Sequence, residues 1–419
     1  MNKKKILVLG IGQSNFLNQL YGDVLLKDNQ YIFDIDKFYD VSKGQVDANS
    51  PFQKKYNFDN IKFSFFQRLY NFMSFSLKSF FWEIFFFELS QKVHPFIIID
   101  LLRQYARASQ IVNKYIIPQN HHIYHFHFCT PEYLMYIHFL PLNSKSICSF
   151  WGSDLMRITG VSNVFYVSRA LRKTTQITLQ SQELAQILLF KYGREFENKI
   201  LINQFTINTD IYDFINEFVS DSGAIDAFKN KYSIPTDKIV IAVSHNAFIA
   251  NNHFDILESL VSLENKYKNN CVFIMPLGYG GNDKYINEIK IYCNNHKDLK
   301  TQILTDFFDP KNTALLRLST DLMIQMPISD ALSGAMTEVL YAGNAVLSGS
   351  WLPYGILKNN ELPLIEASNF NQLPKLVADF CDNFNEVKEV NKNNANKIKN
   401  FLFPDTTSKQ WLSLFNSMK

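Results

Sequence analysis

The chain has 419 residues, enough for two or three domains at roughly 150 residues each. Apolar residues make up 47% and charged ones 19%, which excludes global disorder. The balance of 42 Lys+Arg against 39 Asp+Glu is too even for a dedicated nucleic-acid binder, which draws its affinity from many phosphate contacts.

The N-terminus, MNKKKILVLGIG, sets three lysines before a short apolar run. The run ends in Gln13-Ser14-Asn15 without a small-x-small cleavage pattern, so a buried first strand closing in a glycine turn is expected, not a signal peptide. Gly10-Ile11-Gly12 lacks the third glycine of a dinucleotide fingerprint. Residues 63–99 are strongly aromatic, but Arg68, Lys78, Glu83, Glu88 and Lys92 interrupt them, leaving no uncharged span of ~20 residues to cross a bilayer. Phe65, Leu69, Phe72, Met73, Phe80, Ile84 and Phe87 fall at helical spacings. That predicts one or two amphipathic helices, which either enter the core or dock on a bilayer surface.

Short apolar runs at 6–12, 122–128, 146–151, 176–181 and 199–205 read as buried strands, and 239–244, 272–277, 321–326 and 344–349 form a second series. Helical patterns separate them at 130–140, 182–192, 253–269, 281–295 and 332–343. This alternation predicts an α/β protein with parallel sheets. The polar stretch 206–238 reads as a connection carrying one helix, 223–232. The expected architecture is two Rossmann-like domains facing across a cleft. Residues 1–205 form the first domain and 206–400 the second, and a C-terminal helix, 401–419, returns to the first through Trp411, Leu412 and Phe415. The five cysteines, odd in number, widely spaced and without a CxxC pair, fit reduced thiols in a cytoplasmic protein.

Candidate site residues cluster at strand ends. In SDALSGAMTEVLYAGNAVLSG (329–349) a strand ends near Met326, Asp330 lies in the turn, and a helix begins around Leu332–Gly334 with Glu338 inside it. Ser333 and Gly334 leave backbone N–H groups open at a helix N-terminus, where the dipole favours an anion such as a diphosphate. Eight residues at 1.5 Å each would set the two acids ~12 Å apart, about the span from ribose to hexose in a nucleotide sugar. An N-cap with an exposed glutamate is the alternative. His125 and His127 share one face of a strand. No Cys or acid is placed to complete a metal site, so core or site-facing imidazoles are the preferred reading and no metal is expected. Trp151-Gly152-Ser153-Asp154 ends another strand, and Asp154 is available either to an acceptor hydroxyl or as a helix cap. LGYGGNDKY (277–285) is a Gly-rich strand-to-helix loop without a P-loop ending, and Trp351–Gly355 either shapes a pocket or packs the domain edge.

Several of these segments share one resemblance. Asp330-x7-Glu338 followed by EVLYAGNAVL resembles the donor-binding motif of retaining GT-B glycosyltransferases, Glu-x7-Glu, with aspartate in place of the first acid. FTINTDIYDFI, YSIPTDKIVIAVSHNA, HIYHFHF and SFWGSDLMR are similar to other signatures of that family in the same order. Residues 244–260 and 273–290 look like the Fuc4NAc transferases, which use a polyprenyl-linked acceptor. The resemblance implies a glycosyltransferase that moves a sugar from a nucleotide-diphosphate sugar to a saccharide or polyprenyl-linked acceptor. It implies retention, no metal and no other cofactor, and a place in bacterial surface polysaccharide synthesis (lipopolysaccharide, capsule or O-antigen). The expected location is the cytoplasm, at the inner face of the membrane through 63–99, with no nucleic-acid partner.

Residue by residue, the resemblance assigns Asp330 to the sugar hydroxyls, the Leu332, Ser333 and Gly334 backbone to the phosphate, and Glu338 to the ribose. His127 faces the transferred sugar and, with Asp330 and Glu338, makes the catalytic set. Gly278 lies under the donor, and Gly12, Trp151 and Asp154 line the acceptor side. Relatives place an Arg and a Lys on the diphosphate where this chain reads HNAFIANNH, so His245, Asn246 and His253, or Arg317 from elsewhere, are the candidates to replace them. A nucleotide-sugar epimerase of the same fold, which acts on donor alone, and a non-catalytic scaffold subunit are the competing readings.

Overall fold

The computed structural model describes residues 3–12, 14–37 and 50–418; Gln13 of the N-terminal turn lies outside them. The chain divides into two compact units, Met1–Thr206 with Thr407–Lys419, and Ile207–Thr406.

The first unit is built on seven parallel strands in the order β3-β2-β1-β4-β5-β6-β7. They are β1 (Lys4–Leu9), β2 (Tyr31–Asp36), β3 (Phe52–Tyr56), β4 (Ile123–His127), β5 (Lys145–Ser149), β6 (Gln176–Leu179) and β7 (Ile200–Ile202). β2 and β3 escape a reading by apolar runs, because β2 carries two aspartates and β3 two lysines. Partners from other segments satisfy these acids: Asp34 accepts from the Lys54 N–H and meets His121 at 2.9 Å, and Asp36 accepts from the Phe58 N–H. Helix α1 (Asn15–Lys27) follows β1, capped by the Ser14 hydroxyl on the Leu17 N–H.

The aromatic stretch forms three helices rather than one or two: α2 (Phe65–Ser76), α3 (Ser79–Ser90) and α4 (Pro95–Ile111). A capping box from Ser64 and Gln67 starts α2, Lys92 takes a left-handed conformation after α3, and Pro95 opens α4. The last helix, Pro404–Ser417, brings Trp411, Leu414 and Phe415 into the core of the first unit with Ile6, Val8, Leu17 and Phe33. The Trp411 indole N–H donates to the Gln204 carbonyl at 2.9 Å.

The second unit has six parallel strands in the order β10-β9-β8-β11-β12-β13. They are β8 (Ile239–Val243), β9 (Cys271–Pro276), β10 (Thr301–Leu304), β11 (Leu322–Gln325), β12 (Ala345–Gly349) and β13 (Ile365–Ala367). The central strands read as continuous apolar runs because both faces are covered. Val240, Ala242, Met323 and Val346 enter one core, while Ile241, Val243, Leu322, Ile324 and Leu347 enter the other. The edge strands do not show as runs: β10 (Thr-Gln-Ile-Leu) is half polar, and β13 has three residues with a glutamate at its centre. The 206–238 stretch holds two helices, Asp210–Phe218 and Ser222–Lys231, where the sequence suggests one.

In each sheet the chain reverses its direction of travel once, between β1 and β4 and between β8 and β11. At such a switch point the two loops leave to opposite sides beyond the carboxyl ends of the strands, which is where open α/β sheets take ligands.

Candidate functional site

The loops at the β8/β11 switch point carry most of the predicted donor residues. The loop after β8 turns at Ser244, whose φ of 61° is left-handed, and holds His245 and Asn246. The loop after β11 runs through Asp330 to the helix Gly334–Tyr341, with Ser333 as N-cap; its hydroxyl accepts from the Met336 N–H. The Gly334 and Ala335 N–H groups take no hydrogen bond among the described residues and lie at the positive end of the helix. Only the steps from Gly334 to Glu338 climb a helix, so the 12 Å helical spacing of the two acids does not hold: Asp330 lies in irregular backbone.

A polar chain joins three strand ends beneath this loop. His245 Nδ1 lies 3.1 Å from Gln325 Oε1, and the buried Tyr354 hydroxyl donates to Asp330 Oδ2 at 2.7 Å while the Ala331 N–H donates to Oδ1. Gln325 also bonds the Tyr354 side chain. Asp330 is thus aimed by a tyrosine from the far side of β12. Gln325 and Tyr354 are absent from the predicted set: Tyr354 lies in the Trp351–Gly355 segment but reads equally as packing, and Gln325 shows only as a polar residue ending an apolar run.

Glu338 is not a free carboxylate. Its Oε2 accepts from Arg317 Nε at 2.8 Å, and both side chains are nearly buried. Arg317, on the helix Pro310–Leu318, is therefore committed to Glu338 and does not stand as an independent phosphate cation. The histidines do not fill that role either. Burial, with the nearby Arg317 charge, holds His245 down to about 4, and burial holds His253 to about 4, so both are neutral at pH 7. His253 is fully buried against Tyr285, and the Asn246 carbonyl-amide oxygen accepts from the Phe248 N–H and the Asn251 side chain. Neither side chain is presented to a ligand. A Cβ at Gly278 would lie 2.0 Å from the Asp306 carbonyl oxygen, so this glycine answers to the close approach of two loops rather than to a donor.

The first unit gathers its predicted residues at the β1/β4 switch point, but they face inward. His127 is fully buried. The Trp151 indole N–H, which can only donate, reaches His127 Nδ1 at 3.3 Å. His127 then carries its proton on Nε2 and donates to the Tyr21 hydroxyl at 2.7 Å. Tyr21 donates to His125 Nδ1 at 2.8 Å, and His125 Nε2 to Ser149 at 2.7 Å. Ser149 continues to Thr178. One indole proton fixes the direction of the whole chain. Burial agrees, pushing His127 down to about 3 and His125 well below its ordinary range. His127 is thus a neutral interior link, and the role of sugar-facing catalytic residue does not fit it. Tyr21→Phe is expected to strand two imidazole nitrogens and lower stability by about 2–4 kcal/mol, measured by denaturant unfolding.

Asp154 is not the helix cap: the helix Ser153–Met156 starts from Gly152 without a side-chain cap bond, and Asp154 lies in its first turn. It is buried, and its carboxylate accepts from the Cys129, Trp151, Gly152 and Leu155 N–H groups, clamping the loops after β4 and β5. Gly12, at φ 78°, would set a Cβ 2.2 Å from the Lys37 carbonyl oxygen, so loop packing demands it. Trp151 is the half-exposed member, stacked on Phe205 at 4.3 Å. Among the described residues no three His, Cys, Asp or Glu side chains are grouped to hold a metal ion.

No protein-family model and no curated protein sequence matches the chain. Solved structures do. A glycosyltransferase from Rickettsia africae superposes with a TM-score of 0.67 at 16% identity, over 100% of this chain and 99% of that one. HepE of Anabaena, solved in complex with UDP, gives 0.68 at 10% identity, over 99% and 100%. A trehalose 6-phosphate synthase from Burkholderia multivorans gives 0.67 at 8%, over 100% and 97%. The chain has the GT-B fold. Matches of this length span both units, so neither is an unrelated addition. At these identities the likeness concerns the backbone, and the side chains at the two switch points must speak for themselves.

Proposed function

We propose that this chain is a glycosyltransferase that moves a sugar from a nucleotide-diphosphate sugar to a saccharide or polyprenyl-linked acceptor. The observation that carries the reading is the β8/β11 switch point. There, open helix amides at Gly334 and Ala335 stand between Asp330, aimed by Tyr354, and Glu338, charged against Arg317. The amides suit a diphosphate, and the two acids suit hydroxyls on either side of it. HepE, which shares the fold, has been solved with UDP and with UDP-glucose, which supports a nucleotide sugar as the donor class here.

In this reading the bond between the anomeric carbon and the diphosphate breaks while an acceptor hydroxyl adds. The helix amides stabilise the charge that develops on the leaving group. No side chain at the site is placed as a nucleophile, which favours front-face displacement with the acceptor proton passing to a leaving phosphate oxygen, and hence retention. We place the reaction in bacterial surface polysaccharide synthesis, in the cytoplasm and against the inner membrane surface through 63–99, without a metal. No described helix is long and apolar enough to cross a membrane.

A thermal-shift panel with UDP, GDP, TDP and CMP tests the donor site. One nucleotide at a hundredfold excess over its Kd is expected to stabilise the protein by about 2.7 kcal/mol, a rise of about 5–10 °C. No response to any of the four rejects the reading.

A further inference from the structure

Helices α2 and α3 carry apolar stripes on the side turned away from the protein. On α2, Phe75 is buried and Phe72 half-buried, while Phe66, Leu69, Tyr70 and Met73 lie together on the opposite side and are exposed, Phe66 by 78% and Tyr70 by 73%, and the exposed Phe65 flanks them at the start of the helix. On α3, Phe81 and Ile84 are buried and Trp82, Phe86 and Leu89 form a second exposed row. Phe96, 76% exposed, and Ile97 add to it from the first turn of α4. A monomer in water rarely keeps so many large apolar side chains side by side.

The charge around these rows says what covers them. Residues 61–104 contain five Lys or Arg and three Asp or Glu. Two of the acids are already engaged, Glu83 with Arg169 and the buried Glu88 with Ser162 and Tyr166. Lys62, Arg68, Lys92 and Arg103 are exposed and form no ion pair among the described residues. Between α2 and α4 lies a cavity of about 1,200 Å³, with Leu69, Phe72 and Ile99 among its walls; Lys62, Arg68 and Arg103 line it together with two acids, Asp59, which is paired with Lys37, and Asp100, which accepts from the Gln104 side chain. Aromatic rows flanked by unpaired cations are the complement of a lipid interface, where rings enter the headgroup–acyl boundary and cations meet anionic lipid.

We infer that α2, α3 and the start of α4 dock on an anionic phospholipid bilayer, with one headgroup phosphate seated in the cavity against Arg68 and Arg103. This sharpens the membrane contact of the proposed function and rests on that reading only for its purpose, since lipid binding requires no sugar transfer.

The test is co-sedimentation of the full chain with phosphatidylglycerol vesicles and with phosphatidylcholine vesicles. The protein is expected to pellet with the first and remain in solution with the second. Phe65→Ser/Phe66→Ser/Tyr70→Ser is expected to abolish pelleting. Arg68→Gln/Arg103→Gln is expected to weaken it about thirty-fold, at about five-fold per cation. Both variants replace exposed side chains, so melting temperature and nucleotide response are expected to match the parent. The inference is overturned by failure to pellet with phosphatidylglycerol, by equal pelleting of parent and variants, or by a dimer in lipid-free buffer that the triple variant dissociates, which would assign the face to a second copy. A protein that binds vesicles but no nucleotide would retain this inference and lose the donor site; the reverse result would do the opposite.

Discussion

Glu338→Ala is expected to destabilise the Ile207–Thr406 unit by about 3–5 kcal/mol, because it leaves the Arg317 guanidinium buried without its counter-charge. The same variant is expected to lose its stabilisation by nucleotide. Those two losses cannot be separated in one protein, since an unfolded domain binds nothing. The double variant Arg317→Met/Glu338→Leu separates them. Exchanging a buried pair for apolar side chains of similar volume is often neutral or stabilising. The double variant is therefore expected to melt within a few degrees of the parent and to show no shift with the nucleotide that stabilises the parent. A full nucleotide response in the folded double variant would remove Glu338 from the donor site.

Acid is expected to destabilise both units well above the range where carboxylates ordinarily titrate. His125, His127 and His138 in the first unit and His245 and His253 in the second are withdrawn from solvent, and burial holds all five below the ordinary imidazole range. Each is neutral when folded and protonated when unfolded below about 6.5, so its contribution is present at neutral pH and is lost as pH falls toward the folded value. Each such group lowers stability by about 1.4 kcal/mol per pH unit inside that window. Two acids oppose this in the first unit. Burial lifts Asp36 and Asp154 to about 6, so between about pH 6 and 4 they bind protons when folded and release them on unfolding. Three imidazoles against two carboxyls leave the first unit a net slope of about 1.4 kcal/mol per pH unit there; the second unit has two imidazoles, His245 and His253, with no such opposition, and a slope of about 2.8 kcal/mol per pH unit. Denaturant unfolding at pH 7.5, 6, 5 and 4 measures the slopes. Asp36→Asn removes one opposing group, so it should stabilise the first unit at pH 7.5 and steepen its loss in acid. A flat profile from pH 7 to 5 would show that these imidazoles are not held neutral.

Much of the architecture was legible because a doubly wound sheet writes its central strands as apolar runs. β1, β4, β5, β8, β9, β11 and β12 all appear that way, and the helix 182–192 is bounded as the pattern predicts. What failed to show has a common cause. β2 contains Asp34 and Asp36, whose desolvation is met by partners from distant segments, and no local pattern announces those partners. Tyr21 occupies an ordinary apolar-face position of α1, yet it bridges two imidazoles more than a hundred residues away.

The sequence by itself determined the class of fold, the return of Trp411 and Phe415 to the first unit, and the segment in which Asp330 and Glu338 stand, because periodicity and turn chemistry act over a few residues. Only the tertiary structure decided which polar side chains are available. His127, His253 and Asp154 look like ligands in the chain and are interior, while Arg317 looks like a free cation and is paired. Whether a polar group faces solvent or a buried partner depends on residues brought together from elsewhere in the chain. In the interior each unmet hydrogen bond costs about 1–3 kcal/mol, so such groups turn to one another and away from any ligand.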